Sequence, residues 1–273
     1  MSIPFGHQQL YNRYCFEGEL ELITPLCISS GRASDDTDAP FMRSFDGVPY
    51  IPGSTLRGAI RSEVERIIAM VGDAAGLKTC TLFEKGSCAE KARVFLLKLE
   101  EEERDEGENK TKDERIAEFA EKELCDVCKL FGSTVYASRL IFEDAQPVSG
   151  EIHNRIRDGV GIDRDTGAAK DGAKFDYEVI EPSENSPFFG FKMVAENVNS
   201  QDKKIINLIL SLLKHGLYVG GKRAGGLGKI RLRETDNRVC KVTGFEDPKS
   251  LWEVLVSGGE IYGSIDWKEG ILC

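Results

Sequence analysis

The sequence predicts an α+β fold with a ferredoxin-like core, in which strands and helices follow the order β-α-β-β-α-β. The first strand is predicted over Phe16 to Ile28, where apolar residues alternate with glutamates. The first helix is predicted where apolar residues recur at helical spacing after Ser54, which we expect to be its N-cap. A second helix is predicted over Asp202 to His215, with Gly216 ending it.

Three further strands complete the predicted core: Arg139 to Glu143, Phe188 to Val194 and Gly228 to Arg233. No repeat or low-complexity linker divides the chain, so we expect a single domain with insertions. Its expected parts are a core over about residues 15–71, 131–148 and 186–233, a cysteine-containing insertion over 72–130, a protruding hairpin-like segment over 149–178, and a C-terminal segment of irregular strand and loop over 234–273.

Charge is unevenly distributed along the 273 residues, whose formal net charge is -10. Between Lys98 and Glu123 there are 12 acidic against 6 basic residues, whereas Gly220 to Arg233 carries five cations and no acid. This basic segment predicts a local footprint for a polyanion in an otherwise acidic protein. No apolar run reaches 18 residues and the N-terminus does not resemble a signal peptide, so we expect a soluble, cytoplasmic protein without a membrane partner.

Two segments are candidates for phosphate binding. The loop Gly220 to Gly228 has five glycines in nine residues beside Lys222 and Arg223, and backbone of this kind can approach a phosphate closely. It lies between a helix and a strand and lacks the pattern of a P-loop, which favours RNA phosphate over a nucleotide cofactor. The second segment is the predicted helix start from Ser54 to Arg61. A flexible surface turn and an ordinary capped helix are the alternative interpretations.

Three motifs, in this order, support a resemblance to a known family: Tyr50-Ile51-Pro52-Gly53-Ser54-Thr55-Leu56-Arg57-Gly58, Cys128-Lys129-Leu130-Phe131-Gly132-Ser133, and the glycine loop. With the segment Arg155 to Tyr177 they cover most of residues 15–233. The chain resembles the RAMP (repeat-associated mysterious protein) backbone subunits of type III CRISPR effector complexes, which polymerise along a guide RNA.

The resemblance implies an RNA-recognition-like (RRM-like) core that holds the phosphates of the guide RNA (crRNA). It also implies that Arg155 to Asp176 forms a thumb, which pushes between segments of the guide–target duplex and reaches the neighbouring subunit. The implied partners are crRNA, target RNA, and copies of this chain or other RAMP subunits. The residues expected to contact RNA are Ser54, Thr55, Arg57, Arg61, Arg155, Arg157, Arg164, Lys174, Gly220, Gly221, Lys222, Arg223, Gly225 and Gly226.

The resemblance further implies cleavage of the target RNA, dependent on a divalent cation such as Mg²⁺ or Mn²⁺. In the loop Ser34 to Phe41, Asp38 is the aspartate that matches the family's position, and Asp35 and Asp36 are the less favoured candidates. RNA carries its own 2′-hydroxyl nucleophile, so one carboxylate can suffice. Two alternatives stay open: an architectural RNA-binding subunit that cleaves nothing, and a guide-processing nuclease, although such enzymes commonly use histidine and the expected loops contain none.

Eight cysteines in a reducing compartment are expected to be free or to bind metal. Cys125 and Cys128 form a C-x2-C pair, and Cys80 and Cys88 lie upstream in the same insertion with the wider spacing C-x7-C. Four thiolates predict a closed structural Zn²⁺ site without a catalytic position. Buried free thiols are the alternative. The other four cysteines, which lack ligand spacing, are Cys15, Cys27, Cys240 and Cys273.

Overall fold

A computed structural model of the chain describes residues 10–81, 84–102, 111–183, 185, 187–234, 238–242, 248–257 and 262–265. None of the helices in this part of the chain is long and apolar enough to cross a membrane. The elements, in chain order, are β1 (Arg13–Leu22), α1 (Gly53–Ala75), α2 (Cys88–Glu102), α3 (Lys112–Glu123), α4 (Asp126–Phe131), β2 (Leu140–Phe142), β3 (Pro147–Ser149), β4 (Asn154–Ile162), β5 (Ala169–Ile180), β6 (Phe188–Glu196), α5 (Ser200–His215), β7 (Leu217–Tyr218), β8 (Lys229–Leu232), β9 (Arg238–Val242), α6 (Pro248–Ser257) and β10 (Tyr262–Ile265).

The main sheet has eight antiparallel strands, with β10, β9, β1, β6 and β2 in this spatial order. Strand β8 pairs with the second half of β1, β7 with β8, and β3 with β6. The strands β8, β1, β6 and β2 are the fourth, first, third and second of a β-α-β-β-α-β unit whose helices are α1 and α5. The predicted α+β ferredoxin-like core is therefore confirmed.

Strand β1 alternates as predicted, with Phe16 and Leu20 buried in the core and the intervening glutamates on the other face. It ends at Leu22 instead of Ile28, because the amides of Ile23 and Thr24 both donate to the Lys229 carbonyl oxygen and so interrupt the regular ladder. The first half of β1 pairs with β9, which in turn pairs with β10. Strands β9 and β10 thus extend the sheet, and helix α6 lies in the segment expected to be irregular strand and loop.

Helix α1 begins one residue earlier than its predicted cap. The residue before the helix is Pro52, so the prediction that Ser54 is the N-cap is wrong. The reason is tertiary: the Gly53 N–H donates to Asp144 Oδ1 at 2.7 Å, and a Cβ at Gly53 would lie 2.2 Å from the Phe142 carbonyl oxygen. A distant carboxylate therefore caps the helix, and only glycine allows this close approach to β2.

The solvent face of the sheet is lined by ion pairs between neighbouring strands. They are Arg231 with Glu21 at 2.6 Å, Arg233 with Glu19 at 2.8 Å, Lys192 with Glu143 at 3.0 Å, and Arg13 with Glu196. Arg231 and Arg233 belong to the segment predicted as a basic footprint, but β1 places a glutamate beside each of them. The available positive charge of that segment is therefore smaller than the sequence indicated.

The cysteine-containing insertion comprises α2, α3 and α4. Helix α3 lies in the highly charged part of the chain between Lys98 and Glu123, and Thr111 and Glu114 form its capping box. The stacked rings of Phe95 and Phe119, 4.3 Å apart between centroids, join α2 to α3. Of the acidic stretch between Lys98 and Glu123, residues 98–102 belong to α2 and residues 103–110 lie outside the described residues.

A buried ion pair connects the core to the insertion. Arg139, just before β2, binds both carboxylate oxygens of Asp202 in the first turn of α5, at 2.5 and 2.7 Å. Both side chains are 3% exposed. The same guanidinium donates to the carbonyl oxygens of Asn197 and Lys129. One arginine therefore fixes the start of α5, the start of β2 and helix α4 relative to one another.

Removing one partner of this pair leaves an unpaired buried charge. We expect Asp202→Ala to lower the free energy of unfolding by about 3–5 kcal/mol, measured by urea denaturation of the purified chain. The matched control is Glu63→Ala, which breaks the exposed pair with Arg66 and should cost less than about 1 kcal/mol. Equal effects of the two substitutions would contradict a structural role for the buried pair.

Candidate nucleic-acid interface

Strands β4 and β5 form a separate two-stranded hairpin, the thumb hairpin, paired from Asn154 with Ile180 to Ile162 with Ala169. At its turn, Asp163 Oδ1 accepts hydrogen bonds from the Asp165 and Thr166 amides at 2.9 and 3.0 Å. The Thr166 and Asp165 amides lower the pKa of Asp163. Most of the hairpin is exposed, so it projects from the core as predicted for this segment.

The base of the thumb hairpin is attached to the loop that precedes α1. Leu26 bridges Ile180, and the Glu178 N–H donates to the Ala39 carbonyl oxygen at 3.0 Å. The buried carboxylate of Glu178 accepts a hydrogen bond from the Phe41 amide at 2.7 Å and pairs with Arg43. These contacts fix the position of residues 39–43 against β5.

Asp38, the predicted catalytic residue, lies directly beside Asp176 of β5. The Asp38 N–H donates to Asp176 Oδ1 at 2.8 Å, and the Asp176 N–H donates to Asp38 Oδ2 at 3.2 Å. Among the described residues, the other oxygen of the Asp38 carboxylate has no hydrogen-bond partner. Asp38 is exposed, so this oxygen remains available to a cation or to a substrate group.

The hydroxyl of Thr37 and the amide of Asp38 both hydrogen-bond the Asp176 carboxylate and lower its pKa. Thr37 is 6% exposed, which is unusual for a residue of an otherwise solvent-facing loop. Asp35 and Asp36 of the same loop are exposed and have no hydrogen bond to the thumb hairpin in the described part of the chain. The geometry therefore distinguishes Asp38 from its two acidic neighbours.

The glycine loop is a tight turn whose backbone is largely bonded within the protein. The amides of Gly221 and Gly228 donate to the carbonyl oxygens of Cys27 and Pro25. Those of Gly225 and Gly226 donate within the loop itself. These four amides are already bonded within the protein, and the side chains of Lys222 and Arg223 are the candidates of this loop for phosphate contact. RNA contact by this loop stays a prediction.

Lys222 connects the glycine loop to the thumb hairpin. Its Nζ lies 4.1 Å from the ring centroid of Phe175 and 5.1 Å from that of Tyr177. The two rings stack on the same face of β5, with Asp176 between them in sequence on the opposite face. The glycine loop and the loop Ser34 to Phe41, the Asp38 loop, therefore contact β5 within three consecutive residues. We call these residues, Phe175 to Tyr177, the thumb root.

Arg57 and Arg61 lie one turn apart and face the same way, as predicted. They donate to the carbonyl oxygens of Phe131 and Gly132, respectively, and line a pocket of 370 Å³. Burial and the charge of Arg61 lower the pKa of Arg57. Burial also acts to lower the pKa of Arg61, but the Glu65 hydrogen bond and the charges of Cys128 and Glu65 outweigh it and raise the pKa.

The remaining predicted RNA contacts differ in their surroundings. Arg157 pairs with Glu181 at 2.7 Å and Lys174 with Asp158 at 3.3 Å. Arg155 and Arg164 are exposed, the first near the base of β4 and the second at the turn. Ser54 is exposed on the first turn of α1 and Thr55 is half-buried.

Backbone hydrogen bonds link the glycine loop to the start of α1 through three segments, at residues 27–28, 42 and 50–51. The Gly221 amide donates to the Cys27 carbonyl oxygen. The Met42 amide donates to the Ile28 carbonyl oxygen, and the Tyr50 amide donates to that of Met42, with Ile51 leading into the helix. The two predicted phosphate-binding elements thus flank the Asp38 loop, which connects the first and second of these segments.

The four cysteines of the insertion converge as predicted. Their sulfur atoms all lie within 4.8 Å of one another, and the sulfurs of Cys80 and Cys128 are 3.7 Å apart. Four thiolates at about 2.3 Å from one Zn²⁺ ion give sulfur–sulfur distances of about 3.8 Å. This group of cysteines, the cysteine cluster, could therefore bind a metal ion such as zinc.

Hydrogen bonds within the cysteine cluster separate the acidities of its thiols. Bonds with Cys125 and Cys128 lower the pKa of Cys88 to about 2. The Cys128 bond lowers the pKa of Cys125, but the Cys88 bond and burial outweigh it and raise the value to about 12. Bonds with Cys125 and Cys88, with burial, raise the pKa of Cys128. A divalent cation in the cluster would stabilise the thiolate form of its cysteines.

Three features of the site were not predicted from the sequence: the contact of Asp176 with Asp38, the aromatic partners of Lys222, and the hydrogen bond from Arg61 Nη2 to Cys128 Sγ at 3.3 Å. In the run Phe175-Asp176-Tyr177, strand alternation places the aspartate on one face and the two aromatic rings on the other. This pattern could have indicated a structural role for Asp176.

Gly228 provides a test of the glycine loop. Its φ is +88°, and a Cβ there would lie 2.1 Å from the Val219 carbonyl oxygen. We expect Gly228→Ala to lower the free energy of unfolding by about 1–3 kcal/mol. Gly225→Ala is the control, since nothing lies within 4 Å of its Cβ position, and it should change stability by less than about 0.5 kcal/mol in the same urea titration. A Gly228 variant as stable as the control would contradict this geometry.

The sequence profile of the RAMP superfamily matches residues 19–231, which span β1 to β8 and include the thumb hairpin and the glycine loop. A search of curated proteins finds no match. The chain therefore belongs to the RAMP superfamily, a family of CRISPR-associated RNA-binding proteins.

Proposed function

We propose that this chain is a backbone subunit of a type III CRISPR ribonucleoprotein, which binds crRNA and cleaves the paired target RNA with the help of a divalent cation. The observation that carries the proposal is the thumb root, where the Asp38 loop and the glycine loop both contact Phe175 to Tyr177. A carboxylate for cleavage and cations for the RNA backbone thus meet at the base of one projecting hairpin.

Guide binding is assigned to exposed cations around this hairpin. Lys222 and Arg223 lie on the glycine loop, and Arg155 and Arg164 lie on β4 and its turn. Arg57 and Arg61 supply two further guanidinium groups in the pocket beside α1. Such contacts hold phosphates without reading sequence, and base pairing between guide and target supplies the specificity.

The cleavage reaction requires little from the protein beyond positioning. The 2′-oxygen of the target attacks the adjacent phosphorus and the bond to the 5′-oxygen of the next nucleotide breaks. A 2′,3′-cyclic phosphate results, and the departing 5′-oxygen takes up a proton from water to become a 5′-hydroxyl. The exposed Asp38 carboxylate is suited to accept the proton of the 2′-hydroxyl or to hold Mg²⁺ or Mn²⁺, which binds carboxylates together with phosphate oxygens and water. A bound cation would neutralise charge on the phosphate.

Assembly along the guide is the third part of the proposal. The thumb hairpin exposes apolar side chains on one face of β4, namely Ile156, Val160 and Ile162. Adjacent copies of this chain, or other RAMP subunits, would cover this face while the hairpin reaches the guide–target duplex. In this arrangement the chain acts as one RAMP domain in the cytoplasm, where thiols stay reduced.

An architectural subunit that cleaves nothing is the alternative. It is favoured by the reciprocal bonds of Asp38 with Asp176, because they give the aspartate a structural reason to be there. The two functions share every RNA-binding element and differ only in whether Asp38 acts on the target.

We expect Asp38→Ala to abolish target cleavage while assembly and RNA affinity stay unchanged. The assembled complex is incubated with matched target RNA, with Mg²⁺ or with a chelator, and the products are separated by size. Regularly spaced, metal-dependent products are expected from the wild type and none from the variant. Asp35→Ala, in the same loop, is the control and should cleave normally. Cleavage by the Asp38 variant would remove the catalytic assignment, and intact target with the wild type would favour the scaffold.

We further propose that the cysteine cluster holds one structural Zn²⁺. Four protein thiolates fill a tetrahedral zinc site and leave no position for catalysis. The ion would fix α4 to α2 and to residue 80, in an insertion whose α3 is largely charged.

Elemental analysis should therefore find one zinc per chain in the purified protein, and Cys125→Ser/Cys128→Ser should remove it and lower the melting temperature. Cys27→Ser is the matched control, since Cys27 is buried but lies outside the cysteine cluster. Metal-free wild-type protein, or zinc retained by the double variant, would end this assignment.

A further inference from the structure

We propose that Asp176, although distant from Asp38 in the sequence, is a positioning residue for target cleavage that holds the Asp38 carboxylate in place. The inference rests on the proposed function and names a second residue of the same site. Asp176 lies on β5 of the thumb hairpin and is separated from Asp38 by 138 positions.

Two reciprocal hydrogen bonds close a ring between the two aspartates. Each backbone amide donates to the carboxylate of the other residue, at 2.8 Å from Asp38 and 3.2 Å from Asp176. One bond fixes the backbone of the loop and the other fixes one oxygen of the Asp38 side chain. A catalytic carboxylate must be held in this way, since a displacement of about 1 Å can cost on the order of 10²-fold in rate.

The hydrogen bonds of Asp176 indicate a role different from that of Asp38. Its carboxylate accepts from the Thr37 hydroxyl and the Asp38 amide, and both donors belong to the Asp38 loop. The Asp38 carboxylate accepts only one amide among the described residues and is exposed. Asp38 therefore faces the substrate while Asp176 faces Asp38.

A second carboxylate on β5 attaches the same loop to the hairpin. Its presence distinguishes the positioning role proposed for Asp176 from attachment of the loop alone. Glu178 holds the far end of the loop through the Phe41 amide and Arg43, and it is 9% exposed. The loop thus has a buried anchor at Glu178 and a solvent-accessible one at Asp176. Asp176 lies between Phe175 and Tyr177, whose rings contact Lys222 of the glycine loop.

The test compares two variants in the assembled, guide-loaded complex under single-turnover conditions. Asp176→Ala removes the acceptor, and we expect cleavage to fall by about 10²-fold. Asp176→Asn retains an oxygen that can accept from the Asp38 amide, and we expect a loss of no more than about fivefold. Guide and target affinities should not change in either variant, and the pH profile of the asparagine variant should match that of the wild type.

A readout independent of cleavage is hydrogen exchange of the peptide that contains Asp38. Exchange at the Asp38 amide should accelerate in Asp176→Ala and stay near the wild-type rate in Asp176→Asn. Thr37→Val, which removes only a hydroxyl from the same cluster, should give an intermediate loss of cleavage and serves if the alanine variant fails to assemble.

Wild-type cleavage and exchange in Asp176→Ala would overturn the inference while leaving the proposed function intact. An asparagine variant as inactive as the alanine variant would also overturn it, because the negative charge would then act in the reaction itself. Intact target RNA with the wild-type complex would instead overturn the proposed function, and the inference with it.

Discussion

The functional architecture of this protein depends on the packing of the Asp38 loop against β5 at the base of the thumb hairpin. Backbone hydrogen bonds at Leu26 and Ala39, the buried Glu178 and the reciprocal aspartate bonds all act along this one edge. Lys222 of the glycine loop adds a second attachment through Phe175 and Tyr177. The hairpin, the Asp38 carboxylate and the glycine loop are therefore held together at the thumb root.

Electrostatics explain how a chain of net charge -10 is organised to bind a polyanion. Acidic side chains on the solvent face of the sheet are neutralised by cross-strand partners, as Glu19 and Glu21 are by Arg233 and Arg231. Other acids are concentrated in the insertion. Lys222, Arg223, Arg155 and Arg164 have no ion-pair partner among the described residues and lie on or beside the thumb hairpin. In the proposed function this local positive charge, and not the total charge, would attract RNA to that face.

Local periodicity made much of the core predictable, because the alternation in β1 and the helical repeat of α5 record which face of each element is buried. Spacing likewise predicted the cysteine cluster. The errors come from contacts between distant residues: Asp144 replaces Ser54 as the cap of α1, Glu21 neutralises Arg231, and Cys27 takes the amide of Gly221. Family resemblance pointed to Asp38 as the candidate, but its contact with Asp176 joins residues 138 positions apart and could not be located from local spacing.

The central claim is that the thumb root is where guide–target RNA is held and cleaved. It is tested most directly by a high-resolution structure of the assembled complex with crRNA and a non-cleavable target whose 2′-hydroxyl is replaced by hydrogen at the scissile position. The account predicts the scissile phosphate beside the Asp38 carboxylate and the guide backbone beside Lys222 and Arg223. A duplex lying on the ion-paired face of the main sheet, away from the thumb root, would contradict it.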